Sequence, residues 1–439
     1  MKKVLLIKLI ALIFCILTSI TSLAGPEGTN VVGESGGEIW VDGPGDVQPG
    51  SDPNHPDAVI DHLGRSIFVW DGTPASTDKE VFLRIFPADG SSPGDPVQVN
   101  SLVENNQHFP RVAVSGDGSF LVVWLSAERP EPEDNFFRNV VRSQAFDVDA
   151  KPVGVERLLS TLDPLLTTDN KVDVAALPDG GYIVVWRSSQ TLDPAPVNGT
   201  TIQARRIGAN GVPLAGQFQV NSTNTNASES FPAVSELADG GFLVAWTTPQ
   251  VHGRRFAADG IPDGDDFQIN TFTSGTERET DVVLHEDGRV LVIWKDDGDS
   301  GGDDGNEIRG RLYSPELASQ GVDFRINGLV AGEQNRPRVA NYGRGGFFVV
   351  WESAVSAGND NDSQSIEGRI VTGSNQFAGS EFQLNNWITG AQQFPGIGGK
   401  NDRVAVGWHS KSNPDTTNNV INGQFWSICG IFCDGFEGD

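Results

Sequence analysis

Seven stretches of the chain share one pattern of polar and apolar positions. Each opens on a polar or Pro-containing step, passes through a Val-Ala-like pair to a turn, and then runs through consecutive apolar residues that end on Trp. They are HPDAVIDHLGRSIFVW (55–70), FPRVAVSGDGSFLVVW (109–124), KVDVAALPDGGYIVVW (171–186), FPAVSELADGGFLVAW (231–246), ETDVVLHEDGRVLVIW (279–294), RPRVANYGRGGFFVVW (336–351) and FPGIGGKNDRVAVGW (394–408). The first half of each predicts a strand, here A. The second half is apolar at successive positions and predicts a strand B covered on both faces. Asp-Gly pairs at 117/118, 179/180, 239/240 and 287/288 put Gly where a tight A-B hairpin needs a positive φ.

The remainder of each period repeats as well. A strand C such as IQARRI (202–207), HGRRF (252–256), IRGRLY (308–313) or IEGRI (366–370) follows a variable loop. After a Gly turn comes a short strand D: VQVN (97–100), FQVN (218–221), FQIN (267–270), FRIN (324–327) or FQLN (382–385). Successive Trp lie 48 to 62 residues apart, near the period of about 40 to 50 expected for four-stranded propeller blades. The seventh unit has A, B and a C strand in INGQFW (421–426) with no D strand after it, whereas EIWVD (38–42) precedes the first unit without a blade of its own. The pattern therefore predicts an all-β, seven-bladed propeller in which the N-terminal strand completes the last blade and removes open sheet edges. An open row of blades or a sandwich is the alternative architecture.

Composition narrows the setting. The 52 Gly and 25 Pro disfavour an all-helical fold, and 31 basic against 58 acidic residues, a formal charge of -27, argue against nucleic-acid partners. Lys2, Lys3 and Lys8 in or beside an apolar run from Val4 to Leu17, followed by Ser22-Leu23-Ala24, read as a secretory signal peptide over residues 1–24. The run falls short of the roughly 20 apolar residues of a membrane span, so no span is expected after cleavage. Residues 25–36 read as a linker, 37–426 as the propeller and 427–439 as a tail carrying Cys429 and Cys433. In an exported chain this pair is expected to form one small disulfide, with metal binding as the rival reading.

The unit V-A-x-L-x-D-G-G-F-x-V-x-W, then R/Q-R-F and F-x-V-N, resembles a repeat of large secreted or surface proteins of bacteria, often found beside hemolysin-type calcium-binding segments. That resemblance spans about residues 38–426 and implies export to the outside of the cell or its surface, with the periplasm as an alternative. The chain has no glycine-rich calcium nonapeptide array. The tail IFCDGFE resembles a C-terminal segment of other secreted bacterial proteins.

Chain direction places the D-A and B-C loops on one face, which the long insertions after Trp124, Trp186, Trp294 and Trp351 make the expected binding face. The densest polar group there comprises Asp296, Asp297, Asp299, Asp303, Asp304, Asn306 and Glu307, interspersed with Gly. Oxygen ligands on a flexible backbone fit Ca2+, although the spacing is not that of an EF-hand. A solvated acidic loop is the competing reading. Asp360 and Asp362 form a second, weaker candidate. Trp387 occupies no repeat position and is a candidate to stack on a sugar or anchor a partner, or else to pack within its loop.

The strings GDSGG (298–302) and GESGG (33–37) resemble hydrolase nucleophile motifs, but neither has the structural context those motifs need. His285 falls in an A-B hairpin on the opposite face. Arg84, Arg205, Arg254, Arg311 and Arg369 recur at one position of strand C, with Gln144 and Gln424 in other blades, and are expected to hydrogen-bond within their own blades. No pair of carboxylates stands out for the chemistry of a glycosidase. The sequence is therefore read as a monomeric, non-catalytic scaffold for an extracellular protein or glycan. The alternative is a polysaccharide-active glycosidase or lyase that uses carboxylates of the loop-rich face.

Overall fold

In the computed structural model, seven antiparallel sheets form a seven-bladed β-propeller. The structure describes residues 38–43, 52–74, 78–129, 137–160, 171–188, 200–222, 229–298, 305–343, 346–411 and 419–427. The segments read from the sequence as signal peptide (1–24) and linker (25–36), and both Cys429 and Cys433, lie outside them. The inner A strands are Asn54–Ile60, Gln107–Val114, Val172–Ala176, Ser230–Glu236, Glu277–Leu284, Gln334–Tyr342 and Gln392–Lys400. Each contacts the A strands of both neighbouring blades, the seventh returning to the first, so the ring is closed. In blades 1 to 6 the order from the channel outward is A-B-C-D. Blade 2 carries a long outer strand, Pro152–Leu158, and blade 6 an additional outer pair at Gln376–Phe377.

The last blade closes as the sequence predicts. Ile39 and Trp40 pair antiparallel with Gly423 and Asn422, and the Val41 N–H donates to Ile421 O at 2.8 Å. The A strand of this blade is glycine-rich for a steric reason. A Cβ on Gly396 would lie 2.2 Å from Pro56 O, and one on Gly399 would lie 1.9 Å from Asn341 O. The closing blade is thus wedged between blades 1 and 6 at backbone contact distance.

Burial follows the predicted pattern. The seven Trp that end strand B are all at most 2% exposed, and the apolar B residues before them fill the spaces between adjacent blades. Such double-sided burial requires the continuous apolar runs. The Asn that ends strand D accepts the N–H of a C-strand residue in its own blade, at 2.8 Å for Asn100–Val81, 3.0 Å for Asn270–Val251 and 2.8 Å for Asn385–Ile366.

The recurring Arg residues do more than hold one blade together. Arg254 Nε donates to Gly264 O within its blade at 3.0 Å, while Nη1 donates across the boundary to Val220 O at 2.8 Å. Arg84 and Arg205 repeat both bonds, to Gly94 and Val41 and to Ala215 and Leu159. The expectation of purely intra-blade bonding is corrected: a guanidinium presents donors in a fork and spans both partners. A carboxylate adds a second clasp. Glu156 accepts the Ser101 N–H at 2.7 Å, Asp323 the Thr271 N–H at 3.1 Å, Glu381 the Leu329 N–H at 2.7 Å, and Glu38 the Asn386 N–H at 2.8 Å, each from the preceding blade.

Candidate functional site

Six A strands carry a register shift near their start, between Asn54 and Asp57, His108 and Arg111, Ser230 and Ala233, Arg278 and Asp281, Asn335 and Arg338, and Gln393 and Gly396. At each bulge one non-glycine residue adopts a left-handed backbone. These are His55, Phe109, Phe231, Glu279, Arg336 and Phe394, with φ between 50° and 56°. An L-residue held there typically costs about 1–3 kcal/mol, and repeated strain of this kind clusters at ligand clamps. The six residues, with Lys171 at the equivalent place in blade 3, surround the mouth of the central channel on the loop-rich face. They line a cavity of about 320 Å³.

The lining inverts the charge balance of the chain. Its charged residues are Arg111, Lys171, Arg336 and Arg338 against Glu279, accompanied by His55 and the rings of Phe109, Phe231 and Phe394. In a chain with 58 acidic and 31 basic residues this is a local cationic and aromatic site. Burial and the neighbouring Arg338 and Arg111, opposed by Glu279 and Asp281, bring the Lys171 ammonium down to about 8.

Blade 1 supplies the most developed cluster. His55 Nδ1 lies 2.6 Å from Asp71 Oδ2, and Lys79 Nζ donates to Asp71 Oδ1 at 3.1 Å. Asp71 is buried and follows Trp70, so it projects from the end of strand B beside the bulge. Burial would raise its pKa, but His55, Lys79 and His108 outweigh that and hold it at about 2. The same carboxylate accepts the Phe109 N–H at 3.1 Å, which supplies an acceptor at the bulge of the next blade. The imidazole of His55 lies between two rings, 4.0 Å from Phe109 and 4.5 Å from Phe394.

Two further imidazoles lie nearby. Burial lowers the pKa of His108, whose Nε2 is 3.2 Å from Asn139 Oδ1. Burial brings His409 down to about 4, and neither of its ring nitrogens has a hydrogen-bond partner among the described residues.

Blade 6 repeats the carboxylate device with a different partner. Glu352, which follows Trp351, accepts from Arg336 Nη1 at 2.5 Å and from the Phe394 N–H. The Arg336 guanidinium rests 4.1 Å from the Phe394 ring centroid, so Arg336 and His55 flank the same aromatic ring. Glu279 accepts the Arg336 N–H at 2.6 Å. Below the mouth, Arg338 joins Asp57 at 3.0 Å and Asp281 at 3.4 Å, and both carboxylates also accept backbone N–H groups of adjoining blades.

The candidates chosen from the sequence lie elsewhere. Trp387 is half-buried in the D-A loop of blade 6, where its backbone N–H donates to Glu38 at 3.1 Å, and it does not line the cavity at the channel mouth. Of the proposed calcium ligands, Asp299, Asp303 and Asp304 lie outside the described residues. Asp297 accepts the Thr276 N–H at 2.5 Å, Glu307 pairs with Arg309 at 2.9 Å and Arg325 at 3.0 Å, and Asn306 precedes the C strand. Among the described residues no group of three or more His, Cys, Asp or Glu is arranged to hold a metal ion. Asp360 accepts from Asn385 Nδ2 at 2.7 Å, and Asp362 accepts the Gly390 N–H at 3.0 Å.

No family profile and no curated protein sequence matches the chain. Solved structures match it in fold at low identity. A fungal alcohol oxidase in complex with copper has 13% identity and a TM-score of 0.54, covering 91% of this chain and 77% of its own. A protein of unknown function from Dyadobacter fermentans has 12% identity and a TM-score of 0.50, covering 90% and 99%. A polysaccharide lyase, an ulvan lyase bound to -[GlcA(1-4)Rha3S]-, has 10% identity and a TM-score of 0.53, covering 92% and 95%, so the chain shares its propeller fold with proteins that include polysaccharide-cleaving enzymes.

Proposed function

We propose that this protein binds an acidic glycan at the mouth of its central channel. The observation that carries the reading is the ring of bulge residues: six strained backbone positions present His, Arg, Glu and three Phe side chains to one cavity. Aromatic faces stack on sugar rings, and guanidinium and ammonium groups pair with carboxylates or sulfates. The surrounding negative charge would repel an anionic polymer elsewhere, so the cationic mouth also selects where it docks. The lyase that shares the fold is bound to a saccharide of this class.

A binding role also fits the state of the acidic residues. Glu279 and Glu352 at the mouth, and Asp57 and Asp281 below it, are each engaged with backbone N–H groups or guanidinium. Retaining or inverting hydrolysis would need two carboxyl groups available to the sugar. The glycan is extracellular on this reading, and the protein meets it after export.

Isothermal titration with uronate- or sulfate-bearing oligosaccharides and with neutral ones of equal length tests this. Acidic ligands should bind, with affinity falling as salt is raised. Arg336→Ala should weaken binding at least tenfold. Equal binding of neutral ligands, or an unchanged affinity in Arg336→Ala, would overturn the proposal.

A further inference from the structure

The acidic-glycan reading leaves one group at the mouth unexplained. The fold does not need an imidazole at position 55, since the equivalent places in the other blades hold Phe, Lys, Glu and Arg. Carboxylates that follow the B-strand Trp occur at Asp71 and Glu352 only. Glu352 serves a guanidinium, whereas Asp71 serves His55.

That tether settles the chemistry of the ring. An ionised Asp71 can only accept from Nδ1, so in the neutral ring Nε2 is left as the basic nitrogen of an imidazole that lines the cavity. Lys79 holds the other carboxylate oxygen, and Phe109 and Phe394 clamp the ring from neighbouring blades. Fixed orientation of this kind is what proton transfer in a transition state requires. Among the described residues the hydrogen-bond partner of His55 is Asp71 and not a Ser or Cys that it could activate as a nucleophile.

We propose that the His55–Asp71 pair makes this mouth an eliminative lyase site for uronate-containing polysaccharide, with His55 as the base. The proposal rests on the acidic-glycan reading. His55 Nε2 takes the proton from the ring carbon next to the uronate carboxylate. The electron pair left behind forms a carbon–carbon double bond to the adjacent ring carbon. The glycosidic C–O bond on that adjacent carbon breaks, the departing oxygen takes a proton from water, and His55 returns its proton to solvent. No oxidant, reductant or other co-reactant is consumed. Arg336, beside the same Phe394 ring, is placed to pair with the carboxylate and so favour the charge that builds on it as the proton leaves. Asp71 is a positioning residue.

The full protein is incubated with a panel of uronate polymers, and ultraviolet absorbance of the conjugated unsaturated product is followed beside calorimetric binding. At least one polymer that binds should give rising absorbance. His55→Gln should lose at least 100-fold in kcat, in the range of general base catalysis, measured at saturating polymer so that any change in binding does not enter the comparison. Asp71→Asn keeps an acceptor for the Phe109 N–H and should lower kcat at least tenfold with KM unchanged, which loss of fold alone would not produce. Binding without absorbance change across the panel, or full turnover by His55→Gln, overturns the lyase inference while the glycan reading stands. Failure of every acidic polymer to bind overturns both.

Discussion

The outer blade and the channel mouth use the sevenfold repeat in opposite ways. Outward from strand B the same residue types recur: Trp at its end, buried in every blade, and Arg in most C strands and Asn after most D strands, which repeat the same kinds of backbone partner. At the mouth the repeat supplies a position without supplying a residue. The position holds His, Phe, Lys, Phe, Glu, Arg and Phe in turn, bulged in every blade but the third, and the residue after each Trp runs Asp, Leu, Arg, Thr, Lys, Glu and His. Uniform positions answer a demand that every blade makes equally. Divergent ones at a shared, strained backbone site answer something outside the fold, and a ligand seen from seven directions is the physical candidate.

The sharpest break of this comparison uses two aromatic residues of blade 2. Trp124 is fully buried, and its Nε1 donates to Gln107 at 2.9 Å. Trp124→Ala should destabilise by about 3–5 kcal/mol through cavity formation. Phe109 is half-buried and carries φ 54°, so Phe109→Gly loses ring contacts but relieves the left-handed strain and should cost no more than about 1–2 kcal/mol. Phe109→Ala retains the strain and should be less stable than the Gly variant. Urea denaturation of the three variants checks the order. A Gly variant less stable than the Ala variant would mean that the bulge is unstrained.

A second test compares carboxylates of the two regions by pH. Burial raises Glu80, Glu229, Glu277 and Glu367 to about 7. With an ordinary value of 4.5, the folded form holds protons that the unfolded chain has released between about 4.5 and 7. Their stabilising contribution is therefore present below about 4.5 and lost as pH rises through about 7. Asp71 has the opposite sign: held at about 2 against 3.8, it contributes above about 3.8 and loses that contribution as pH falls towards 2. Melting temperature should accordingly be highest near pH 4–5 and decline towards pH 8. Glu80→Gln with Glu367→Gln should flatten the upper limb only, and Asp71→Asn the lower one.

The blades were legible because their determinants are repeated: a residue type that returns at a fixed place averages away local ambiguity, and EIWVD could be matched to a missing strand seven units away. The funnel was less legible for the same reason. Searching for repeats discounts positions that vary, and His55, Asp71, Arg336 and Glu352 are variations. Their signal was present as the residue before Pro in strand A and the residue after Trp in strand B, two divergent columns in a regular pattern. What the sequence could not supply was the bulge, which brings these two columns together, and the inter-blade reach of the strand C Arg.

The smallest expected effect concerns the acidic loop of blade 5, where the sequence pointed to Ca2+. Its described ends are already balanced. Glu307 is shared by Arg309 and Arg325, and Asp297 is bound to the Thr276 N–H. Asp296 is buried, raised to about 6 by burial, and lies 3.5 Å from Arg309. A cation drawn to this loop would therefore depend chiefly on Asp299, Asp303 and Asp304, and its affinity should resemble the 10⁻⁴ to 10⁻³ M of extracellular modules. At a few millimolar Ca2+ such binding stabilises by about 1–2 kcal/mol at most, through preference for the folded form. Scanning calorimetry should show a rise in melting temperature of only a few degrees, lost when Asp297, Asp299 and Asp303 are changed to Asn. A rise that survives those changes would locate the ion elsewhere, and an unchanged melting temperature would make the loop a solvated acidic surface.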